Sequence, residues 1–364
     1  MSTLKYKIAL TLIPGIGSVT GKKLIAYCGD VEAVFKEKKY TLLKIPGVGK
    51  LLAHTLNRSQ IMARAEAEVA FIEKNKIKPL FFLDDEYPLR LKHCIDGPLM
   101  LYYKGNADLN ASRIITVVGT RKPTDYGKSR CKSFIEGLAD LNVLITSGLA
   151  YGIDSIAHRV ALDLGLKTTG VLAHGLDRIY PAQNRTLAER MIHQGGLITE
   201  FLCGTIPDRE NFPNRNRIVA GMADAVLVVE SAVKGGALIT ADIANSYNRD
   251  VFAIPGRLSD EYSQGCNYLI KINKAALVQS AKDIKYIMGW EPVDNSGGIQ
   301  QKLFTDLTRE EKMIIDVLRQ HGQLNIDKLS GLVQMSAGQL SAVLLNLEFE
   351  GLIRNLPGKI YKIV

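Results

Sequence analysis

The stretch IITVVGTR, residues 114–121, decides the fold. Ile114-Ile115-Thr116-Val117-Val118 is a continuous apolar and β-branched run with no polar alternation, the signature of a strand covered on both faces. Gly119-Thr120-Arg121 ends it, and a helix is predicted from about Tyr126. Working outward, the same strand-then-helix unit recurs. Val143 to Thr146 is a second strand, ended by Ser147-Gly148-Leu149-Ala150-Tyr151-Gly152 before a helix through His158 and Leu162. Thr169 to Ala173, Leu197 to Thr199, Val226 to Val229 and Val251 to Ile254 follow. Strands alternating with helices predict a doubly wound, mostly parallel α/β sheet, which binds its ligands at the carboxyl edge of the strands, where helix N-termini also point.

A chain of 364 residues predicts more than one domain. No apolar run reaches the ~18 residues that a membrane span requires, and Ile8 to Ile13 is stopped at once by Pro14-Gly15, so no membrane partner is expected. Five cysteines, Cys28, Cys94, Cys131, Cys203 and Cys266, stand singly. That spacing argues against a disulfide framework and against a zinc site, and it suits the reducing cytoplasm. The net charge of +9 is unevenly placed. Residues 1–78 hold 14 Lys/Arg against 6 Asp/Glu, residues 79–304 hold 25 against 24, and residues 305–364 hold 7 of each. Any nucleic-acid contact in the nearly neutral middle must therefore come from local arrangement.

These shifts divide the chain at 1–78, 79–290, 291–304 and 305–364. In the first segment LIPGIGSVTGKKLIAY (12–27) returns as KIPGVGKLLAHTLN (44–57), each copy an apolar run, Pro-Gly-x-Gly and an amphipathic helix. Turns of this kind bring backbone N–H groups close to a phosphate, so Gly15, Gly17, Gly47, Gly49 and Lys50 are candidates for an auxiliary DNA contact. The pattern resembles the tandem helix-hairpin-helix module of DNA-repair proteins; two helix-start turns packing a small bundle would read the same way. Residues 79–113 read only as turn-rich and ordered. A Gly/Ser/Asp/Asn-rich linker (Pro292 to Gly298) precedes three helices and a hairpin around Pro357-Gly358, the order of a winged helix. Its third helix, from Ser336 to Glu350, holds no Lys or Arg, so it is expected to contact protein, or DNA only weakly.

The densest chemistry lies between 207 and 240. Arg209, Asn211, Phe212, Arg215, Asn216 and Arg217 crowd the approach to a helix expected to start near Ile218. Arginine grips phosphate oxygens with a planar fork, asparagine bridges phosphate or base edges, and an exposed phenylalanine offers a stacking face. Lys234-Gly235-Gly236 supplies a second glycine turn with a cation, and Arg121 a third positive group. The bland alternatives are a core role for Phe212 and a structural role for one of Arg215 and Arg217. For catalysis the candidates are Asp154, His158, His174, Asp177 and Glu200, but no nucleophile motif, metal-ligand cluster or GxGxxG fingerprint accompanies them. No catalytic residue, metal or cofactor is expected.

Read together, VVGTR (117–121), SGLAYGIDSIAH (147–158), VLAHGLDRIYPAQNR (171–185), GGLITE (195–200), ENFPNRNRIVAG (210–221), VVESAVKGGALITA (228–241) and FAIPG (252–256) resemble the DNA-processing protein A family (DprA, also called Smf). The resemblance implies a Rossmann-like domain that binds single-stranded DNA, forms a homodimer, and is not an enzyme but a recombination mediator, which protects incoming strands, helps load RecA and helps RecA displace single-strand-binding protein during natural transformation. It places the phosphate-gripping turn on Gly119, Thr120 and Arg121 beside Gly148, the pocket cation and aromatic on Arg209 and Phe212, the Asn-Arg element on Asn216 and Arg217, and the second cation on Lys234. An alternative from the same architecture is a hydrolase of nucleoside monophosphates. Its Pro-Gly-Gly-x-Gly-Thr loop corresponds to Lys234-Gly235-Gly236-Ala237 here, with no glutamate soon after.

Overall fold

A computed structural model describes residues 2–42, 44–45, 58–290, 307–349, 352–356 and 359–363. They fall into two compact units, Met1–Glu291 and Pro292–Val364.

The first unit is built on a nine-stranded sheet. Its strands are β1 (Lys78–Phe81), β2 (Met100–Gly105), β3 (Ile114–Val118), β4 (Leu144–Ser147), β5 (Thr168–Val171), β6 (Gly195–Thr199), β7 (Ala225–Val228), β8 (Asp250–Ala253) and β9 (Ala276–Leu277). The spatial order is β1-β2-β6-β5-β4-β3-β7-β8-β9, with every pair from β6 to β9 parallel. The expected doubly wound sheet is present. From β3 the chain steps outward through β4, β5 and β6, then returns by the helix Asn211–Gly221 to lay β7 on the other side of β3. This reversal between β3 and β7 opens a crevice at their carboxyl ends.

Side chains alternate between two cores with the period of a strand. Ile115, Val117, Ala225 and Leu227 pack with Phe134, Ile135 and Leu138 on one face. Val118, Val226 and Val228 pack with Ile218, Val219 and Leu269 on the other. Thr116, buried on that second face, donates its hydroxyl to the Val219 carbonyl at 2.7 Å and so ties β3 to the crossover helix.

Segment 79–113 holds more than turns. β1 and β2 pair antiparallel, and β2 pairs antiparallel with β6, so the segment extends the sheet. Pro79 in the edge strand β1 is tolerated because an edge leaves one row of N–H groups unused. The helices Ser2–Thr11, Ser18–Cys28, Val31–Lys36 and Arg58–Lys74 share one apolar cluster with Phe81, Leu99, Met100 and Tyr102 of this extension. The first Pro-Gly-x-Gly turn lies between the first two helices, with Gly15 at φ +78°. The second copy, with Gly47, Gly49 and Lys50, lies outside the described residues.

The second unit is a winged helix. Helices Arg309–His321, Ile326–Val333 and Ala337–Phe349 enclose Ile314, Leu318, Leu329, Leu340 and Leu344, and a capping box joins Thr308 to Glu311. Strands Ile353–Leu356 and Ile360–Ile363 form the expected hairpin, joined by the three-residue strand Gln323–Asn325.

Candidate nucleic-acid interface

The turn after β3 is held from three sides. The Thr120 N–H donates to the Glu230 carbonyl at 2.7 Å, the Ile153 N–H to the Thr120 carbonyl at 3.2 Å, and the Lys122 N–H to the Thr120 hydroxyl at 3.1 Å. The buried Glu230 carboxylate accepts from the N–H and hydroxyl of Thr124, the N-cap of helix Asp125–Leu138. Negative charge is favoured at that helix end. Gly127 is what admits it, since a Cβ there would lie 2.0 Å from a Glu230 oxygen. The turn is thus fixed while Arg121, at its apex, stays exposed.

The loop after β4 is pinned in the same manner. The buried Asp154 carboxylate accepts from the N–H groups of Gly148 and Ala150 at 3.2 and 3.3 Å. Gly152 stands at φ +77°, with the Thr120 carbonyl 2.3 Å from where a Cβ would sit, so only glycine fits between the two loops.

The crossover helix begins at Asn211, seven residues before the expected start near Ile218. Pro213 does not prevent this, because the first turn of a helix has no use for its N–H. Phe212, Arg215, Asn216 and Arg217 are therefore helical, and at about 100° per residue they cannot share one face. Phe212, Asn216 and Val219, spaced i, i+4 and i+7, line the crevice together with Arg215. Asn214 and Arg217 line a different pocket, of about 590 Å³.

Of the expected phosphate contacts, Arg217 is consequently placed outside the crevice, and Arg215, though in its lining, is engaged within the protein. Arg217 pairs with Glu200, each side chain 17 % exposed, and its other nitrogens reach the Asn214 carbonyl and the Ser18 hydroxyl. Arg215, 5 % exposed, donates through Nη1 to the carbonyls of Gly148 and Val171 and through Nε to Asn216. Burial lowers its pKa to about 10 against the Asp154 charge, so it stays cationic at neutral pH. Gly148 clears the space: a Cβ there would meet the guanidinium at 2.4 Å.

The crevice encloses about 940 Å³. Gly119, Thr120, Arg121, Gly148, Arg209, Phe212, Asn216, Gly235 and Gly236, all expected from the sequence, line it, and Lys122, Tyr180 and Ser231 join them. Asn211 does not; its amide is turned to the Ile206 carbonyl. Lys234 is exposed on the turn outside the lining. Arg121, Lys122 and Arg209 are exposed, and the helix Gly236–Ser246 starts in the crevice with no side-chain cap, leaving first-turn N–H groups for an anion. The Arg121 guanidinium lies over the Phe212 ring, 5.3 Å from its centroid, and Tyr180 borders the same ring. Together these groups make a cationic mouth with an aromatic platform.

The first Pro-Gly-x-Gly turn faces the other pocket. Gly17 and Ser18 line it opposite Glu200 and Arg217, while Gly15 is exposed. The helix Ser18–Cys28 also begins without a side-chain cap.

The catalytic candidates are occupied by structural tasks. His158 is buried, with Nδ1 2.6 Å from the Thr168 hydroxyl, and does not pair with Asp154. Burial, with Arg215 nearby, lowers its pKa to about 3. His174 bonds the Gly175 carbonyl through Nδ1 and accepts the Tyr180 N–H at Nε2. Asp177 takes Arg178 and the Gly204 N–H, and Glu200 takes Arg217. No group of three or more metal-ligating side chains occurs among the described residues. His158 carries a pH prediction. In the unfolded chain it titrates near 6.5, so between there and about pH 3 the unfolded state holds the extra proton and the folded state loses stability as pH falls. His158→Gln removes this contribution. Urea unfolding at pH 7 and pH 4.5 is expected to show the wild-type chain losing more stability than the variant, by up to about 1.4 kcal/mol per pH unit in that window. Parallel losses in the two proteins would contradict a neutral, buried imidazole.

Comparison with known proteins places this geometry in a family. Residues 78–288 match the family described as DNA recombination-mediator protein A, and residues 304–359 match the DprA winged helix domain. Protein Smf of Synechocystis sp. is 32 % identical over 98 % of this chain and 98 % of its own length. DNA processing protein DprA of Streptococcus pneumoniae is 41 % identical over 58 % of this chain and 74 % of its own. The solved structure of DNA processing protein A from S. pneumoniae superposes with a TM-score of 0.66 at 34 % identity, covering 78 % of this chain and 97 % of that one. DNA processing protein A from Helicobacter pylori, whose structure was described for its single-stranded DNA binding mode, superposes with a TM-score of 0.54 at 27 % identity, covering 59 % and 96 %.

Proposed function

The chain belongs to the DNA recombination-mediator protein A family, and from that premise we propose that its crevice holds single-stranded DNA without altering it chemically. One observation carries the proposal: Arg121, Lys122 and Arg209 converge with the Phe212 ring and an uncapped helix N-terminus at the reversal between β3 and β7. Cations and backbone N–H groups suit phosphates, and an aromatic face suits an unstacked base, which a duplex does not offer. The H. pylori relative's single-stranded DNA binding supports the same reading. The structural bonds of Asp154, His174 and Asp177, and the full burial of His158, support a binding protein over an enzyme. Glu230, the carboxylate nearest the Gly235-Gly236 turn in sequence, is committed to Thr124.

The proposal extends to the partners that the resemblance implies: RecA, single-strand-binding protein and a second copy of the chain. Exposed Tyr268, Ile272 and Leu277 beside the edge strand β9 suit a contact between copies. The five cysteines, all free thiols, suit a cytoplasmic setting, and no helix among the described residues is long and apolar enough to cross a membrane. The basic N-terminal segment would add a broad, less selective attraction around the exposed Gly15 and Gly17.

The test is a titration with oligo-dT of increasing length, with complex mass measured alongside. Saturable binding is expected, and Phe212→Ala should weaken it by about 1–3 kcal/mol. A wild-type chain that binds no oligo-dT, or a Phe212→Ala chain that binds as tightly as wild type, would refute the assignment.

A further inference from the structure

The Phe212 ring is not a free platform. Arg121 lies over it, and the Tyr180 ring meets it at 6.2 Å between centroids with a 54° tilt. The two rings are tilted and not stacked in parallel, and about half of Tyr180 stays open to solvent. Tyr180 is 47 % exposed, and its hydroxyl has no hydrogen-bond partner among the described residues. A folded domain gains little by holding an aromatic ring in that state. Its backbone, by contrast, is fixed, since its N–H donates to His174 Nε2 at 3.2 Å.

Tyr180 also lines two spaces at once: the main crevice and a recess of about 60 Å³ that shares Arg121, Gly148, Ala150 and Phe212 with it. Tyr151, 42 % exposed and with its hydroxyl bonded to Gln183, lines the recess but not the main crevice. No acidic side chain lines the recess, whose polar side chains are His174, Tyr151, Tyr180 and the Arg121 that it shares with the crevice. Exposed aromatic rings set beside a single shared cation suit a strand whose phosphate meets the cation while its bases stack on the rings.

Resting on the single-stranded reading of the crevice, the geometry assigns Tyr180 as a second base-stacking residue. It carries the strand past Phe212 by one further nucleotide, toward Tyr151. The contact is stacking, so it differs from the cationic contacts in a measurable way: it adds affinity without releasing counterions.

The experiment uses the full-length chain and oligo-dT carrying 2-aminopurine at successive positions. Wild type is expected to quench the probe at two or more positions. Tyr180→Ala and Tyr180→Leu should both lose quenching at one of them and bind roughly 5- to 140-fold more weakly, the range that ~1–3 kcal/mol per stacked base gives at ~1.4 kcal/mol per tenfold. Tyr180→Phe should retain both, and the slope of log K against log salt should be the same in all four proteins. Wild-type affinity and quenching in Tyr180→Ala and Tyr180→Leu would overturn the assignment while leaving the crevice as the binding site. A weakened Tyr180→Phe would likewise overturn it, by making the hydroxyl the contact. Absence of any binding by the wild-type chain would overturn the crevice reading itself, and this inference with it.

Discussion

Arg215→Ala is expected to destabilise the first unit by about 3–5 kcal/mol, the cost typical of removing one partner from a buried charged network. The guanidinium is the donor for the part-buried Gly148 carbonyl and the buried Val171 carbonyl, which sit at the carboxyl ends of neighbouring strands. It is also the cation nearest in effect to the Asp154 carboxylate, whose pKa burial raises and Arg215 lowers. Alanine takes the guanidinium donor from both carbonyls and leaves Asp154 with its N–H donors but without its cation. A second substitution separates this from simple loss of packing. Gly148→Ala should be costly in the wild-type chain, because the new Cβ falls 2.4 Å from Arg215 Nη1, and much cheaper once Arg215 is alanine. Trp290, the single tryptophan, is buried against the sheet cluster and reports on unfolding of this unit alone. Urea unfolding followed by its fluorescence decides the matter. A loss below about 1 kcal/mol, with Gly148→Ala equally costly in both backgrounds, would contradict a structural role.

Arg215 also marks where the sequence stopped being legible. The strands could be read because a sheet covered on both faces needs unbroken apolar runs, and Ile114 to Val118 is one. The crevice could be read because strand ends and helix starts carry glycines, and Gly119, Gly148, Gly235 and Gly236 all line it. The start of the crossover helix could not. Asn-Phe-Pro-Asn has the composition of a turn, yet it forms the first turn of the helix, and that seven-residue difference sets which way each following side chain points. Arg217 lies about 140° round the axis from Phe212 and reaches Glu200, a partner on a different element, which no local pattern announces. β1 and β2 escaped for a related reason: strands of four and six residues leave too short a period to count. Glu230 and Asp154, which fix the two loops, are single carboxylates whose N–H partners are chosen by tertiary packing.

Arg121→Ala is expected to weaken oligo-dT binding by about 1.5–3 kcal/mol, the value of a charge-assisted hydrogen bond, and to lower the slope of log K against log salt by roughly 0.7 for each phosphate no longer neutralised. The residue is exposed at the apex of a turn fixed by Glu230 and Ile153, so it needs little reorganisation to meet a phosphate. Its position over Phe212 adds a coupling. If the guanidinium leaves the ring for a phosphate while a base takes its place, the two residues act as one device, and the double variant Arg121→Ala/Phe212→Ala should cost less than the two single variants together. Arg121→Lys separates charge from shape: the slope should stay near wild type while affinity falls, because an ammonium provides neither the fork nor the flat stacking surface. Arg217→Ala, on the opposite face of the helix and paired with Glu200, should leave the slope unchanged. An Arg121→Ala slope equal to wild type, or a slope lowered by Arg217→Ala instead, would move the phosphate path to the other pocket, below the crossover helix and beside Gly17 and Ser18.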